Sequence, residues 1–460
     1  MISSTPRFRY GRTEILTLAL CALSVADMDG GGYATWPSLA ALGLCMFLLV
    51  GTMARRSRLD SGSVPWLAAP FLALLMWVRF GVAAPIVVWP SVGLAILAVA
   101  SALTPKRGGN RLLGLALFTV WLVTLILWVN FVPIHIDVIS LVRDGALRWL
   151  HGHDPYTGRY PSTTTGARSL PYTYSPITFI LAAPAAWFGN VRYANVTLAA
   201  TCVGSLYLIG LRCAGSRPSE YGARILPLIL AVPLMTVMVW TGWTEVYVLA
   251  PLALWLLLRG RHTRLAVGLL AVAIGAKFTL LPVLVPLFLW SPKMRREIAW
   301  AASAAGCFFY LPFIIWAGPV IFFHDTVGFF LTFPTIPNSL SLQSLLAYFN
   351  LPGPTVLVTG LVLVGAVVGL AFWRPRDLSD LLLASAAFTF LAFLVNRWAF
   401  FNYWALVAYV LVAAIVTTDA PEDIGWPRWL PIRRRTQLVR EARPKNPSEV
   451  SRLPDARGDR

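Results

Sequence analysis

The sequence predicts an all-α polytopic membrane protein, and three observations carry that prediction. Hydrophobic residues make up 57% of the 460 and charged residues only 13%, against about 25% in an ordinary soluble domain. The apolar residues form long unbroken blocks, and a helix satisfies its own backbone polar groups in lipid. The alternating segments of roughly ten residues that mark a transmembrane β-barrel do not occur.

The elements follow in order. Arg7, Arg9 and Arg12 precede apolar runs at 14–28 and 37–53, the second closed by Arg55, Arg56 and Arg58. The first run ends at Asp27-Met28-Asp29-Gly30 with no small-residue cleavage site, which predicts a retained helix rather than a signal peptide. Runs at 64–79 and 85–103 end in Pro105-Lys106-Arg107-Gly108-Gly109-Asn110-Arg111, and a fifth spans 112–134. Basic clusters mark the cytoplasmic side, so the N-terminus is expected inside and a loop at 135–175 outside.

Runs at 176–188 and 193–212 lead to a link holding Arg212, Arg217 and Arg224. That link reads as cytoplasmic, yet two crossings from an outside loop would put it outside. Pro176 and Pro184 make the 176–188 run a candidate short or re-entrant element. Runs at 225–240 and 246–258 flank Thr241-Gly242-Trp243-Thr244-Glu245. The 265–290 block is basic at both ends and broken at Gly275-Ala276-Lys277, which predicts two short halves with Lys277 at an outer turn. A run at 298–316 leads to a second outside loop, 318–354. Runs at 355–373, 381–395 and 403–417 follow, and the basic, proline-rich tail at 418–460 reads as cytoplasmic and disordered.

The net charge of +18 is explained more economically by cytoplasmic Lys and Arg than by nucleic acid, so no nucleic-acid partner is expected. The five cysteines lie in or beside apolar runs and read as packing residues.

The longest polar interruption of the first half is 135–175. As a helix it places Asp137, Leu141, Asp144, Arg148 and His151 on one side and Val138, Ile139, Val142, Ala146, Trp149 and Leu150 on the other. That is the pattern of an amphipathic helix lying on a membrane, apolar side down. Asp144 and Arg148, at i and i+4, predict a surface ion pair. The helix breaks at Gly152 and Asp154-Pro155.

The polar groups assigned to the outer side include Asp137, His151, His153, Asp154, Tyr156, Tyr174, Glu245, Lys277, His324, Asp325, Asn338, Arg397 and Tyr403. Ionisable groups near the bilayer are costly and therefore candidates for function. Carboxylates beside cations suit a reaction in which a base takes a proton while a cation holds an anionic leaving group. Each residue also has a plainer reading. Asp137 would cap a helix, Asp154-Pro155-Tyr156 is a turn signal, Lys277 would snorkel, and Arg397 would stack on an aromatic ring. His151-x-His153-Asp154 offers ligand-type residues, but nothing completes a shell, so neither a metal nor a cofactor is expected.

Asp137, then Gly152-His153-Asp154-Pro155-Tyr156, then Tyr174-Ser175-Pro176 resemble the first outside loop of the polyprenol-phosphate-sugar-dependent glycosyltransferases of the GT-C fold. The nearest resemblance is to the bacterial alpha-mannosyltransferases that elongate phosphatidylinositol mannosides. Gly275-Ala276-Lys277-Phe278-Thr279-Leu280-Leu281-Pro282 is similar to that family's lysine-containing broken helix, and Asn338-Ser339-Leu340-Ser341 to a later loop. Where the family often has Gly-Gln-x-Asn, this chain has Gly242-Trp243-Thr244-Glu245.

The resemblance, carried by residues 112–350, implies a helical bundle of about 12 to 15 transmembrane segments with surface helices in its first large outside loop. Residues 1–111 would be an N-terminal extension and 112–417 the catalytic domain. It implies an inverting transfer of mannose, or second arabinofuranose, from a polyprenyl-phosphate donor to a lipid or cell-envelope glycan acceptor. Asp137 would be the general base. Lys277 and Arg397 would balance phosphate charge, and His151, His153 or His324 would orient phosphate or acceptor. Glu245, Asp154, Tyr156 and Tyr174 would line the substrate site. The setting would be a bacterial plasma membrane, with both termini cytoplasmic and the active site on the outer face. The alternative is a transporter or lipid flippase using the same ionisable groups, but such proteins show internal repeats and midplane acids, and this sequence shows no repeat.

Overall fold

The computed structural model describes residues 12–30, 36–54, 110–132, 136–162, 169–213, 226, 228–230, 232–332, 339–351, 353, 356–373, 375–396 and 399–417. Within them the chain is an all-α polytopic membrane protein. Four helices are long and apolar enough to cross a bilayer: Gly114–Phe131, Arg192–Cys213, Pro292–Ala317 and Leu378–Val395. The predicted runs at 64–79 and 85–103 and the tail at 418–460 lie outside the described residues.

The 265–290 block forms two halves, Thr263–Ala276 and Phe278–Trp290, bent by 115° at Lys277. Such a bend is the geometry of an excursion and return. Pro176–Trp187 is a helix of 12 residues, about 18 Å long and too short to cross a hydrocarbon core of about 30 Å by itself.

Two helices form the centre. Val246–Leu258 packs against Arg192–Cys213 and Thr263–Ala276, and Phe401–Val416 packs against Leu378–Val395 and Arg12–Gly30. Both are apolar all round, the pattern of a helix enclosed by others. Several hydroxyls inside the bundle are satisfied locally: Thr124, Thr241 and Thr389 each donate to the carbonyl four residues back, at 2.7, 2.6 and 2.6 Å.

The ends of the bundle differ in charge. At the C-terminus of Val246–Leu258, Arg259 pairs with Glu297 at 3.5 Å and lies over the Trp255 ring, whose indole N–H donates to the same carboxylate at 3.1 Å. Arg295 nearby donates to the carbonyls of Phe288 and Leu289 at 3.1 Å each, closing the end of Leu281–Trp290. The opposite end of Val246–Leu258, about 20 Å away by helix rise, begins at Glu245.

The first-loop helix departs from its prediction in how it faces. Asp137–Leu150 is a helix, but its buried residues are Asp137, Val138, Leu141, Val142, Gly145 and Ala146. It packs on Pro176–Trp187 rather than on lipid alone. Asp137 and Leu141 therefore face protein, and Leu150 is exposed. Pleating two polar turns together also yields a two-residue antiparallel pair, Tyr160–Pro161 with Ser169–Leu170.

Candidate active site

The site is built where two helix breaks face the first loop. The first break is Gly242 to Glu245. Pro233–Thr241 ends in a Schellman turn, with the Trp243 N–H on Met238 O at 3.0 Å and the Gly242 N–H on Val239 O at 3.3 Å. Gly242 takes φ +69, the left-handed conformation this turn requires. The second break is Lys277, whose backbone is extended between the two halves of the bent pair. Its freed carbonyls are held by side chains: the Ser175 hydroxyl donates to Ala276 O at 2.6 Å and the Tyr310 hydroxyl to Gly275 O at 3.1 Å.

Across these breaks Lys277 Nζ forms an ion pair with Glu245 Oε1. The same carboxylate oxygen accepts from Asn402 Nδ2 at 2.7 Å. Lys277 also lies 5.1 Å from the centre of the Tyr403 ring, a cation–π contact. Glu245 is 1% exposed and Asn402 fully buried. Three elements distant in sequence thus converge on one charge pair shielded from water.

Asp137 enters from the first loop. It is 7% exposed and accepts from the Ser162 hydroxyl at 3.3 Å. Ile139, two residues on, closes over the Gly242 turn so tightly that a Cβ there would stand 2.6 Å from its Cγ1. Tyr174 links the acids. Burial, and then the nearby Glu245, Tyr403 and Asp137, push its phenol well above the ordinary range. Through Ile139, the Asp137 helix is seated on the turn that leads into Glu245.

Asp154 and Tyr156 have structural partners in the turn. The Asp154 carboxylate accepts from the Tyr156 N–H at 3.0 Å, the Tyr156 hydroxyl donates to Tyr174 O at 2.9 Å, and the Tyr160 hydroxyl donates to Pro155 O at 2.7 Å. The Tyr156 ring is 1% exposed, packed edge-on to Tyr172 and 4.7 Å from Phe322 between ring centres. This aromatic cage fixes the height of Tyr174. Burial holds the Asp154 carboxyl above the usual carboxylate range, outweighing the Tyr156 amide and Arg148.

The expected Asp144–Arg148 pair does not form. Asp144 bonds its neighbour Arg143 at 2.7 Å, and Arg148 reaches back to Asp154 O at 2.7 Å and Thr157 Oγ1 at 3.4 Å. A guanidinium with several donors is better spent on a turn's carbonyl than on one exposed carboxylate.

His151 and His153 are exposed at the end of this helix, His151 donating through Nδ1 to Leu147 O at 2.7 Å. His324 is also exposed and bonds Asp325 at 2.8 Å, while Arg159 of the first loop reaches the other Asp325 oxygen at 3.5 Å. His324 and Asp325 lie in a π-helical turn, His324–Gly328, a local geometry frequent at functional sites. Arg397 and Asn338 lie outside the described residues. Among the described residues no three His, Cys, Asp or Glu side chains converge in the manner of a metal site.

Two residues escaped the sequence reading. Asn402 is one; its signal was a lone amide opening an apolar run. Arg192 is the other: its guanidinium donates to Val129 O at 2.5 Å and Val132 O at 3.0 Å. It closes the C-terminus of Asn110–Phe131 just before Asp137.

The model of glycosyltransferase family 87 matches residues 172–400, about half of the chain, starting later and ending later than the expected 112–350. The match holds Tyr174, Glu245, Lys277 and His324; Asp137 precedes it and Asn402 follows it. The chain is also 36% identical over 109 residues to a polyprenol-phosphate-mannose-dependent alpha-(1-2)-phosphatidylinositol mannoside mannosyltransferase of Mycolicibacterium smegmatis. That alignment covers 21% of this chain and 24% of the relative's length. No solved structure matches. With its polytopic helical fold and its match to the glycosyltransferase family 87 model over residues 172–400, the chain is a membrane glycosyltransferase of GT-C type.

Proposed function

We propose that this glycosyltransferase moves one sugar from a polyprenyl-phosphate donor to a hydroxyl of a lipid-linked or cell-envelope glycan acceptor, with inversion. Mannose is the favoured sugar and arabinofuranose the second. The observation that carries the reading is a buried acid, Asp137, on a first-loop helix seated through Ile139 on the Gly242 turn, and just past that turn Glu245 paired with a half-buried lysine at a helix break.

In the proposed reaction Asp137 takes the proton of the acceptor hydroxyl as its oxygen attacks the anomeric carbon from the face opposite the phosphate. The anomeric C–O bond breaks and its electron pair leaves with the polyprenyl phosphate. Lys277, from the membrane side, offsets the leaving group's negative charge, and a fixed cation in a low-dielectric site does so strongly. His324, His151 and His153, all exposed, would orient phosphate or acceptor. The mannose preference is supported by the relative named for polyprenol-phosphate-mannose dependence. The end carrying Arg259 and Arg295 is assigned to the cytoplasm by the positive-inside rule, which puts the site on the outer face of a bacterial plasma membrane.

The test is sugar transfer by purified protein in nanodiscs, wild type against Asp137→Asn, with synthetic polyprenyl-phosphate mannose or the arabinose donor and membrane lipid extract as acceptor. A general base contributes about 10²- to 10⁴-fold, and a loss of that size in a folded variant supports the assignment. Transfer retained by Asp137→Asn moves the base to another acid. Absence of transfer and of donor binding with both sugars overturns the reading.

A further inference from the structure

We infer that Asn402 and Glu245 form the part of this site that reads the hydroxyl groups of the transferred sugar. The inference rests on Lys277 as the partner of the donor phosphate. Glu245 uses one carboxylate oxygen for both Lys277 and Asn402. Its other oxygen, Oε2, and the Asn402 carbonyl oxygen, Oδ1, are buried with no hydrogen-bond partner among the described residues. The amide orientation is set by the carboxylate, because only Nδ2 can donate to Oε1, so Oδ1 is the atom left over.

A buried acceptor left unmade costs more than a made bond returns, and here two such atoms belong to side chains bonded to each other beside a lysine. The occupant they fit carries donors close to an anion.

The donor has three parts, and chemistry selects among them. The polyprenyl chain has no hydrogen-bond donor, and the ionised phosphodiester has acceptors only. The sugar, joined to the phosphate through its anomeric oxygen, alone carries hydroxyls, and it lies one bond beyond the group that Lys277 would hold. Carboxylate and amide oxygens are suited to hydroxyl donors, and a site built to bond a hydroxyl rejects an analogue that lacks it.

The experiment uses full-length protein in nanodiscs and three probes: bare polyprenyl phosphate, polyprenyl-phosphate mannose, and its mono-deoxy analogues. In wild type, removal of the hydroxyl that is read should lower kcat/KM about 10- to 100-fold. In Asn402→Ala the parent donor should fall by a similar factor, that deoxy donor should not fall further, and bare polyprenyl phosphate should bind as in wild type. Binding of that probe also reports a folded site, and Asn402→Ser, which keeps a small polar group, serves if the alanine variant does not fold. Equal loss on the parent and every deoxy donor, or no loss on any, overturns the inference. Normal binding of bare polyprenyl phosphate by Lys277→Met would instead remove the phosphate assignment while the deoxy series still judged Asn402.

Discussion

Gly242→Ala probes the joint on which the site depends. Two costs can be read from the structure. Gly242 has φ +69, and an L residue with a Cβ in the left-handed region costs about 1–2 kcal/mol. The new Cβ would also stand 2.6 Å from Ile139 Cγ1 and 3.3 Å from its Cδ1. Relieving such overpacking costs about 1–3 kcal/mol, for about 2–5 kcal/mol in all if the two add. The second part must vanish when the opposing atoms are removed. Ile139→Ala in the same chain should therefore recover about 1–3 kcal/mol relative to additivity, while the backbone part persists. The assay is a double-mutant cycle on unfolding in nanodiscs at one scan rate, with sugar transfer measured in parallel. Because Ile139 is two residues from Asp137, transfer in Gly242→Ala should fall by more than the folded fraction and return in part in the double variant. An additive cycle would refute the claim that the first-loop helix is seated on this turn.

Two further perturbations follow from the same geometry. Lys277→Met strands the Glu245 carboxylate in a dry site and should destabilise by about 3–5 kcal/mol; adding Glu245→Gln should restore most of the thermal midpoint but not transfer, and a double variant as unstable as the single would refute the pairing. Asp154 has a pH signature. Its folded pKa is raised, so the folded chain binds that proton more tightly than the unfolded chain. The resulting stabilisation is complete below the unfolded value of about 4 and is lost as pH rises through the folded value. Asp154→Asn, which keeps an oxygen for the Tyr156 N–H, should gain on wild type as pH rises from about 4. Asp154→Ala should instead lose about 1 kcal/mol for the missing cap. Melting curves against pH decide between these, and a flat or reversed difference for Asp154→Asn would contradict the burial assigned to this carboxyl.

Much of the helical framework was legible because hydropathy is a local property. The runs at 14–28, 37–53, 246–258 and 355–373 correspond to Arg12–Gly30, Trp36–Ala54, Val246–Leu258 and Val356–Phe372. The break at Lys277 was legible too, since a charge between two short apolar halves with basic outer ends leaves few other paths. What stayed hidden was set by partners distant in the chain. Arg148 looked like one half of a surface pair, but Asp154 O six residues on offered the better bond. Asn402 had no sequence partner to mark it, and only folding brought it to Glu245, 157 positions earlier. The facing of Asp137–Leu150 failed for a related reason. A helical wheel separates polar from apolar residues, but it does not reveal that another helix will cover one flank and take an acid inside with it.

That acid and the Glu245–Lys277 pair share a physical logic. Irregular backbone at membrane depth is tolerated only where protein or a polar cavity surrounds it. Here both breaks are so surrounded: Ser175 and Tyr310 hold the carbonyls before Lys277, and Ile139 closes the turn before Glu245. A lysine alone at such a place would bear the full cost of desolvation, whereas here Glu245 pairs with it and the face of Tyr403 lies against it. The pair thus keeps a cation where an arriving phosphate would need one, and it does so with no net charge. Glu245 is then more than a counterion. By holding Lys277 with one oxygen and leaving the second without a partner among the described residues, it would keep the cation in place and, under the proposed reading, present an acceptor toward the sugar, two demands that a glutamine at the same position would meet less well.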